Sequence, residues 1–437
     1  MAYAMEYGYL SIIQLITSLN SNISIHDNTM TRVIGEKGNF DILQFIYNNR
    51  TERCLPDVID TAAIRGHEKI VKFLHPFNEK GFSIYGMYGS VGHSLELVEF
   101  IDLHRTMEWD DGAMDRAASY GNLDVVKFFH NHKEANRCSE LAMDLAAKNG
   151  RYDVVKWLHF NRTEGCTTDA MDRAATYDIV KFLHEHRTEG CTKKAIPRAV
   201  MMDRLDIIQF LHFNRTEGST SCALDQAAMR KNFQIVKFLV ENRTEECSDS
   251  IYEHITGNIE MMKFIYHHCK PKCTKEAINI AARFGHLDAI HFLHEHYNQP
   301  WEFWTRAMDM AAMKGHLEIV RFLHFNRTEG CSIDALNNAA QSGNIDLVKF
   351  LHYNRTEGCS RNAMDMAAQD GHLEIVKFLH LNRTEGCTHH ALEVLHYDVV
   401  HYLLVHKCLE PIDFEKHYDN LLFNGFYEIL ELLKQYR

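Results

Sequence analysis

Proline is scarce, with six in 437 residues, and glycine reaches only 23. So few breakers leave no flexible or proline-rich linker to divide the chain. Positive charge is also short: 47 Lys and Arg stand against 59 Asp and Glu, for a net charge of −12. A nucleic-acid binder needs a basic footprint that releases counterions, and no Lys/Arg cluster supplies one, so nucleic acid is not an expected partner. No apolar run approaches the ~18 residues of a membrane span. The N-terminus lacks the Lys/Arg start of a secretory leader and carries Glu6. Its apolar stretch from Leu10 to Ile16 matches Phe40 to Ile46, so it reads as the second helix of a first repeat. The expected compartment is the cytoplasm, with the nucleus as the other choice. Nucleophile elbows, phosphate-binding glycine loops and paired catalytic carboxylates are missing too. Neither an enzyme nor a cofactor is expected.

What the sequence does contain is a repeat. Segments open at Ala307, Ala335, Ala363 and Ala391, each 28 residues after the last. The clearest copy, Ala363 to Thr388, reads A-M-D-M-A-A-Q-D-G-H-L-E-I-V-K-F-L-H-L-N-R-T-E-G-C-T. Aligned on G-[HN]-x-x-x-x-V-K-F-L, about sixteen copies run from Gly8 to Gly425. Residues 1–437 therefore read as a single repeat solenoid, irregular near 80–110, 170–205, 250–275, 295–305 and 390–410.

Each copy predicts two helices. Ser360 or Thr388 suits an N-cap, because its hydroxyl can take a free N–H of the first turn. Ala363, Met364, Ala367 and Ala368 then form an apolar stripe at helical spacing. The paired alanines are small enough to let neighbouring helices approach closely. Gly371 can end the helix in the left-handed conformation. Leu373, Ile375, Val376, Phe378 and Leu379 make the expected buried side of the second helix. N-R-T-E-G-C turns the chain back. One pair cannot bury both faces, so the core comes from stacking neighbours.

The run A-A-x-x-G-H-L-E-I-V-K-F-L, as at Ala367 to Leu379, resembles the core of the ankyrin repeat, and it recurs along nearly the whole chain. It is closest to divergent ankyrin-type arrays whose units carry A-M-D-x-A-A and N-R-T-E-G-C-T. The usual unit has about 33 residues with T-P-L-H before the alanines; here A-M-D stands in that place. About five residues are missing where ankyrin repeats project a β-hairpin finger. The resemblance thus implies an all-α solenoid with shortened or absent fingers, and binding through the first helices. Some copies are irregular: Ala174-Ala175-Thr176-Tyr177-Asp178 has lost three residues and the copy at Asp398 about four, each close to one helical turn. The copy at Gly92 is rich in glycine.

Several residue sets invite chemistry. Nine of the twelve cysteines share one repeat position, among them Cys54, Cys138, Cys331 and Cys387. Equivalent positions in a stack lie ~10 Å apart, beyond the ~7 Å Cα limit of a disulfide, so this column reads as small residues under a turn. The histidines that end the second helices, such as His159, His212, His324, His352 and His380, are too far apart for one metal by the same spacing. They are expected to hydrogen-bond near the turn. His267–Cys273 is the one local run with metal-like content, but it lacks a second ligand pair. N-R-T at Asn49, Asn161, Asn214, Asn242, Asn326, Asn354 and Asn382 is formally a glycosylation sequon, and more simply the turn of the repeat. Its Arg and the following Glu are expected to pair along the stack. Asp115, Asp172, Asp309 and Asp365 recur because the repeat does, and are expected to bond between adjacent units.

Specificity should sit where copies differ: beside and after the paired alanines. Those positions hold Arg116, Tyr120, Lys148, Arg173, Met229, Arg230, Phe284, Met313 and Lys314, a mixture that resembles interface composition. Trp301 and Trp304 are a second candidate, or else plug a gap in an irregular repeat. The leading expectation is a non-enzymatic scaffold or adaptor for unidentified protein partners, monomeric or weakly self-associating end to end. The rivals are a metal-binding or catalytic protein using His267–Cys273, and a secreted glycoprotein.

Overall fold

The helix pair at Asn362–Gln369 and Leu373–Asn382 shows how one copy folds. Ala363, Met364, Ala367 and Ala368 bury one side of the first helix. Gly371 then adopts φ 78°, a left-handed turn that L side chains resist, and the His372 amide closes it on Ala367 O at 2.8 Å. The second helix buries Ile375, Val376 and Leu379. Leu373 and Phe378, expected in the same stripe, are half-buried at its edges.

The computed structural model describes residues 1–408 except 20–24, 52–53, 55, 79, 133–134, 221, 245–246, 298–301 and 393–395, together with Glu428 and Glu431. The copy expected near Gly425 lies outside the described residues. The chain divides into two compact units, Met1–Thr220 and Ser221–Arg437. In the first, pairs of helices run from Ala2–Glu6 and Leu10–Leu19 to Ala195–Met201 and Leu205–Asn214. In the second they begin at Cys222–Met229 and Phe233–Asn242. No β-strand occurs among the described residues, so where ankyrin fingers would stand the chain makes a plain turn.

Within each unit neighbouring first helices pack more intimately than neighbouring second helices. The fully buried alanine pairs explain this, since nothing larger than a methyl separates the backbones. The glycine-rich copy at Gly92 takes the idea further. A Cβ on Gly89 would stand 2.7 Å from Ile64 Cα, so glycine there is a requirement of close approach. The shortened copy at Asp178 keeps a first helix of five residues, Thr168–Asp172, and the Ala175 amide bonds Ala147 O of the preceding repeat at 3.1 Å. At the copy near Asp398 the first helix shrinks to a 3-10 turn, His389–Leu392.

Two polar devices join the repeats. The first is the A-M-D aspartate, which reaches across to the residue opening the next first helix. Asp309 Oδ1 accepts the Ser332 amide at 3.0 Å and Oδ2 accepts its hydroxyl at 2.8 Å. Asp115 with Ser139, Asp144 with Thr167, Asp172 with Thr192 and Asp365 with Thr388 repeat the arrangement. The hydroxyl oxygen in turn accepts an amide of its own helix, as Ser332 does from Asp334 at 3.1 Å. It is at once cap and clasp.

The second device is the turn. Asn326 Nδ2 donates to Phe322 O at 2.9 Å, and the other N-R-T asparagines do the same. Arginine and glutamate pair inside one turn, as Arg355 does with Glu357, and not with the next repeat as expected. The two lie i,i+2 on an extended bend, so their side chains meet. The link along the stack is instead glutamate to backbone: Glu357 Oε1 accepts the Cys331 amide at 3.1 Å. Burial opposes ionisation of Glu357, yet hydrogen bonds from Arg355 and that amide hold its carboxyl at about 2.

Candidate partner-binding surface

The repeated polar residues are thus occupied in building the stack. The histidines are occupied too: His324 and His380 make the expected hydrogen bonds near the turn, to Arg355 and Cys408, and others pack without one. Several rings lie edge-on to the aromatic of the next second helix: His159 to Phe182 at 5.4 Å and 89°, His324 to Phe350 at 5.4 Å and 88°, His352 to Phe378 at 5.3 Å and 87°, and His380 to Tyr402 at 5.9 Å and 86°. Nδ1 of His159, His184, His294 and His352 is buried without a hydrogen-bond partner. At His324 it faces Arg355 Nη1 at 3.4 Å, which places the ring proton on Nε2. Burial, then the neighbouring arginine, lowers the pKa of His159, His294, His324 and His352. At His159 and His352 the aromatic contact stands where a hydrogen bond was expected.

The cysteine column lies beneath the turns. Cys166, Cys191, Cys273 and Cys387 are buried, and burial pushes the Cys166, Cys273, Cys331 and Cys387 thiols up to about 12. The run His267–Cys273 does not converge. His267 and His268 are exposed, Cys273 is buried, and His268 Nδ1 bonds Phe264 O at 2.8 Å. No three His, Cys, Asp or Glu side chains come together as a metal would need among the described residues.

The residues flanking the paired alanines are placed differently from the scaffold. Arg116, Tyr120, Lys148, Met229, Arg230, Phe284 and Lys314 are exposed, while Arg173 and Met313 are half-buried. In the first unit the helix ends Tyr120 in position, 53% exposed, because Gly121 at φ 86° turns the chain directly after it. Arg116 and Tyr120 line one open cleft with Tyr85, Tyr88 and Leu145. The Arg116 guanidinium lies 4.2 Å from the Tyr88 ring centre, which orients it without a carboxylate partner. Arg173 is drawn away by Asp169, 3.2 Å distant. In the second unit Phe284 is 60% exposed beside Arg283, and Met313 lines a separate cleft with Arg306, Met310 and Asn338. All these clefts are open and shallow.

Trp304 has to be withdrawn from the surface. It is 1% exposed, with the Arg327 guanidinium 4.7 Å over its ring, and a side chain so enclosed cannot meet a partner. Trp301 lies outside the described residues.

One exposed feature has no counterpart among the expected sites. Phe325, Tyr353 and Leu381 occupy the x of successive F-L-H-x-N runs and are 72%, 69% and 77% exposed. They form an apolar ladder on the second helices of the second unit. The signal was in the sequence, since a large apolar residue recurs there beside an asparagine that ends the helix.

Among the described residues no helix is long and apolar enough to cross a membrane. No curated protein matches the chain. A family model described as ankyrin repeats (many copies) matches residues 99–159, 224–294 and 308–352, and another, described as ankyrin repeats (3 copies), matches 336–415. The matched segments take in more than half of the chain, and with them the helix pairs, alanine seams and clasps described above. The chain belongs to the ankyrin-repeat family.

Proposed function

We propose that the protein is a non-enzymatic scaffold that holds partner proteins on the exposed edge of its first helices. Ankyrin repeats are generally modules of protein–protein interaction. The observation that carries the reading for this chain is the cleft where Tyr85, Tyr120 and the Arg116 guanidinium stand open to solvent, the guanidinium held over the buried Tyr88 ring. Close packing of the first helices supports the placement, because the tighter layer of a stack is its concave side. The sequence copies run in register through residues 220 and 221, which supports treating the two units as parts of one array.

A second placement is favoured by the Phe325, Tyr353 and Leu381 ladder, on the second helices. Affinity capture of the tagged chain from its native cells separates the two. One variant carries Tyr120, Met229, Phe284 and Met313 changed to Ala, the other Phe325, Tyr353 and Leu381 changed to Ser. The expected result is a stoichiometric partner retained by the second variant and reduced at least about tenfold in the first, as for loss of interface anchors. Loss from the second variant alone moves the site to the ladder. No partner with the wild-type chain removes the support for a scaffold.

A further inference from the structure

In most turns the arginine of R-T-E covers the cysteine of the turn before, as Arg162 covers Cys138 and Arg355 covers Cys331. Repeat ten breaks this rule. Its turn reads Y-H-H-C-K-P-K-C, so His268 stands where asparagine usually does and Cys269 where arginine does. His268 keeps the asparagine's bond to the helix carbonyl four residues back. Cys269 caps the helix Ile259–His268, and the chain then turns sharply through Lys270 at φ 48°. The cysteine covered by this position is Cys247, and the two cysteines line the same cleft. Column cysteines one repeat apart cannot meet; a cysteine in the arginine's place can.

We propose that Cys269 and Cys247 form a thiol-modification site at which a small anionic disulfide of the glutathione type reacts, leaving a bridge between repeats nine and ten. Both cysteines are half-buried and line an open cleft whose rim carries Arg243, Lys270 and Lys272 against one carboxylate, Asp249, which pairs with Lys272 at 4.0 Å. That basic rim favours an anionic reagent. The hydrogen bond from Cys247, against the opposing effect of burial and with help from His268, brings the Cys269 thiol down to about 7. Cys269 is therefore the attacking sulfur. Its thiolate, having released a proton, displaces one glutathione thiolate, which takes that proton, and a mixed disulfide forms on Cys269. Cys247 then gives up its proton and attacks the Cys269 sulfur. The second glutathione leaves as a thiolate and is protonated in turn. Two protein thiols lose two electrons, and one small disulfide becomes two thiols.

The test incubates the full chain with oxidised glutathione near pH ~7, traps free thiols with an alkylating agent and maps the peptides by mass spectrometry. A Cys247–Cys269 linkage should appear about tenfold faster than modification of Cys331 or Cys359. Cys247→Ser should stop at the mixed disulfide on Cys269. Cys269→Arg, which restores the residue other turns carry, should abolish both products while leaving the melting temperature unchanged. The proposal is overturned if exposed Cys222 is modified while Cys269 stays reduced. It is equally overturned if Cys269 in the unsubstituted chain reacts no faster than Cys331.

Discussion

Replacing Asp309 with alanine lowers the unfolding free energy by about 3 kcal/mol. Asp309 is buried, and its two oxygens hold both the amide and the hydroxyl of Ser332. Without them a backbone donor at the seam between two repeats loses its acceptor, and water cannot reach it freely. Each repeat meets only its neighbours, so the damage should be local: amide exchange should quicken around Ser332 before the rest of the second unit. Asp309→Asn should cost less than about 1 kcal/mol. The chain already uses that substitution one repeat on, where Asn337 Oδ1 accepts the Ser360 amide at 3.0 Å and Nδ2 donates to its hydroxyl at 3.1 Å. Burial also raises the Asp309 pKa, so a neutral side chain escapes a desolvation cost the carboxylate bears. Urea unfolding of the two variants checks both figures; an alanine variant within about 0.5 kcal/mol of wild type would refute the clasp.

Mild acid should destabilise the protein before any carboxylate pair is lost. His75, His159, His286, His294, His324 and His352 all have pKa values lowered from 6.5, in each case chiefly by burial. A histidine depressed in the folded state takes up its proton more readily when unfolded. Its contribution is therefore complete above the unfolded value and falls as pH drops through 6.5. A lower window follows, as the Glu164, Glu189, Glu217 and Glu385 carboxyls, lowered from 4.5 by their arginines against burial, are protonated. The buried Asp115, Asp144 and Asp309, raised from 3.8, act with the opposite sign and soften that second loss. The melting temperature should drop by several degrees between pH ~7.5 and ~5.5, and less in His324→Phe combined with His352→Phe. A melting temperature flat across that range would show that these rings are not held neutral by the stack.

The parts of this account legible in sequence are those set by one repeat. Period fixed the helix pairs, and alanine spacing fixed the close layer. Recurrence marked the A-M-D aspartates as groups that bond between units. The parts that were not legible depend on how a neighbour leans. Phe378 shares the spacing of Leu379, but it lies at the seam, where the His352 ring covers it. The Arg355–Glu357 pair closes within its turn because the backbone there is extended, a conformation that spacing alone does not reveal. Trp304 resembled an interface anchor by type, yet it is enclosed, with the Arg327 guanidinium over its ring. Among the candidate binding residues, Arg116 and Tyr120 were placed in one cleft with Tyr85 and Tyr88, while Arg173 turned inward to Asp169. The ladder from Phe325 to Leu381 is hidden in the sequence because its position recurs inside the fixed F-L-H-x-N motif.

The central claim is that partners are held by the first-helix edge. Photo-crosslinking tests it most directly, with a photoreactive amino acid at Phe284 in one chain and at Tyr353 in another, activated in the native cells. The account predicts a discrete adduct of defined mass from Phe284 and none from Tyr353. Adducts from Tyr353 with none from Phe284, or none from either, would contradict it.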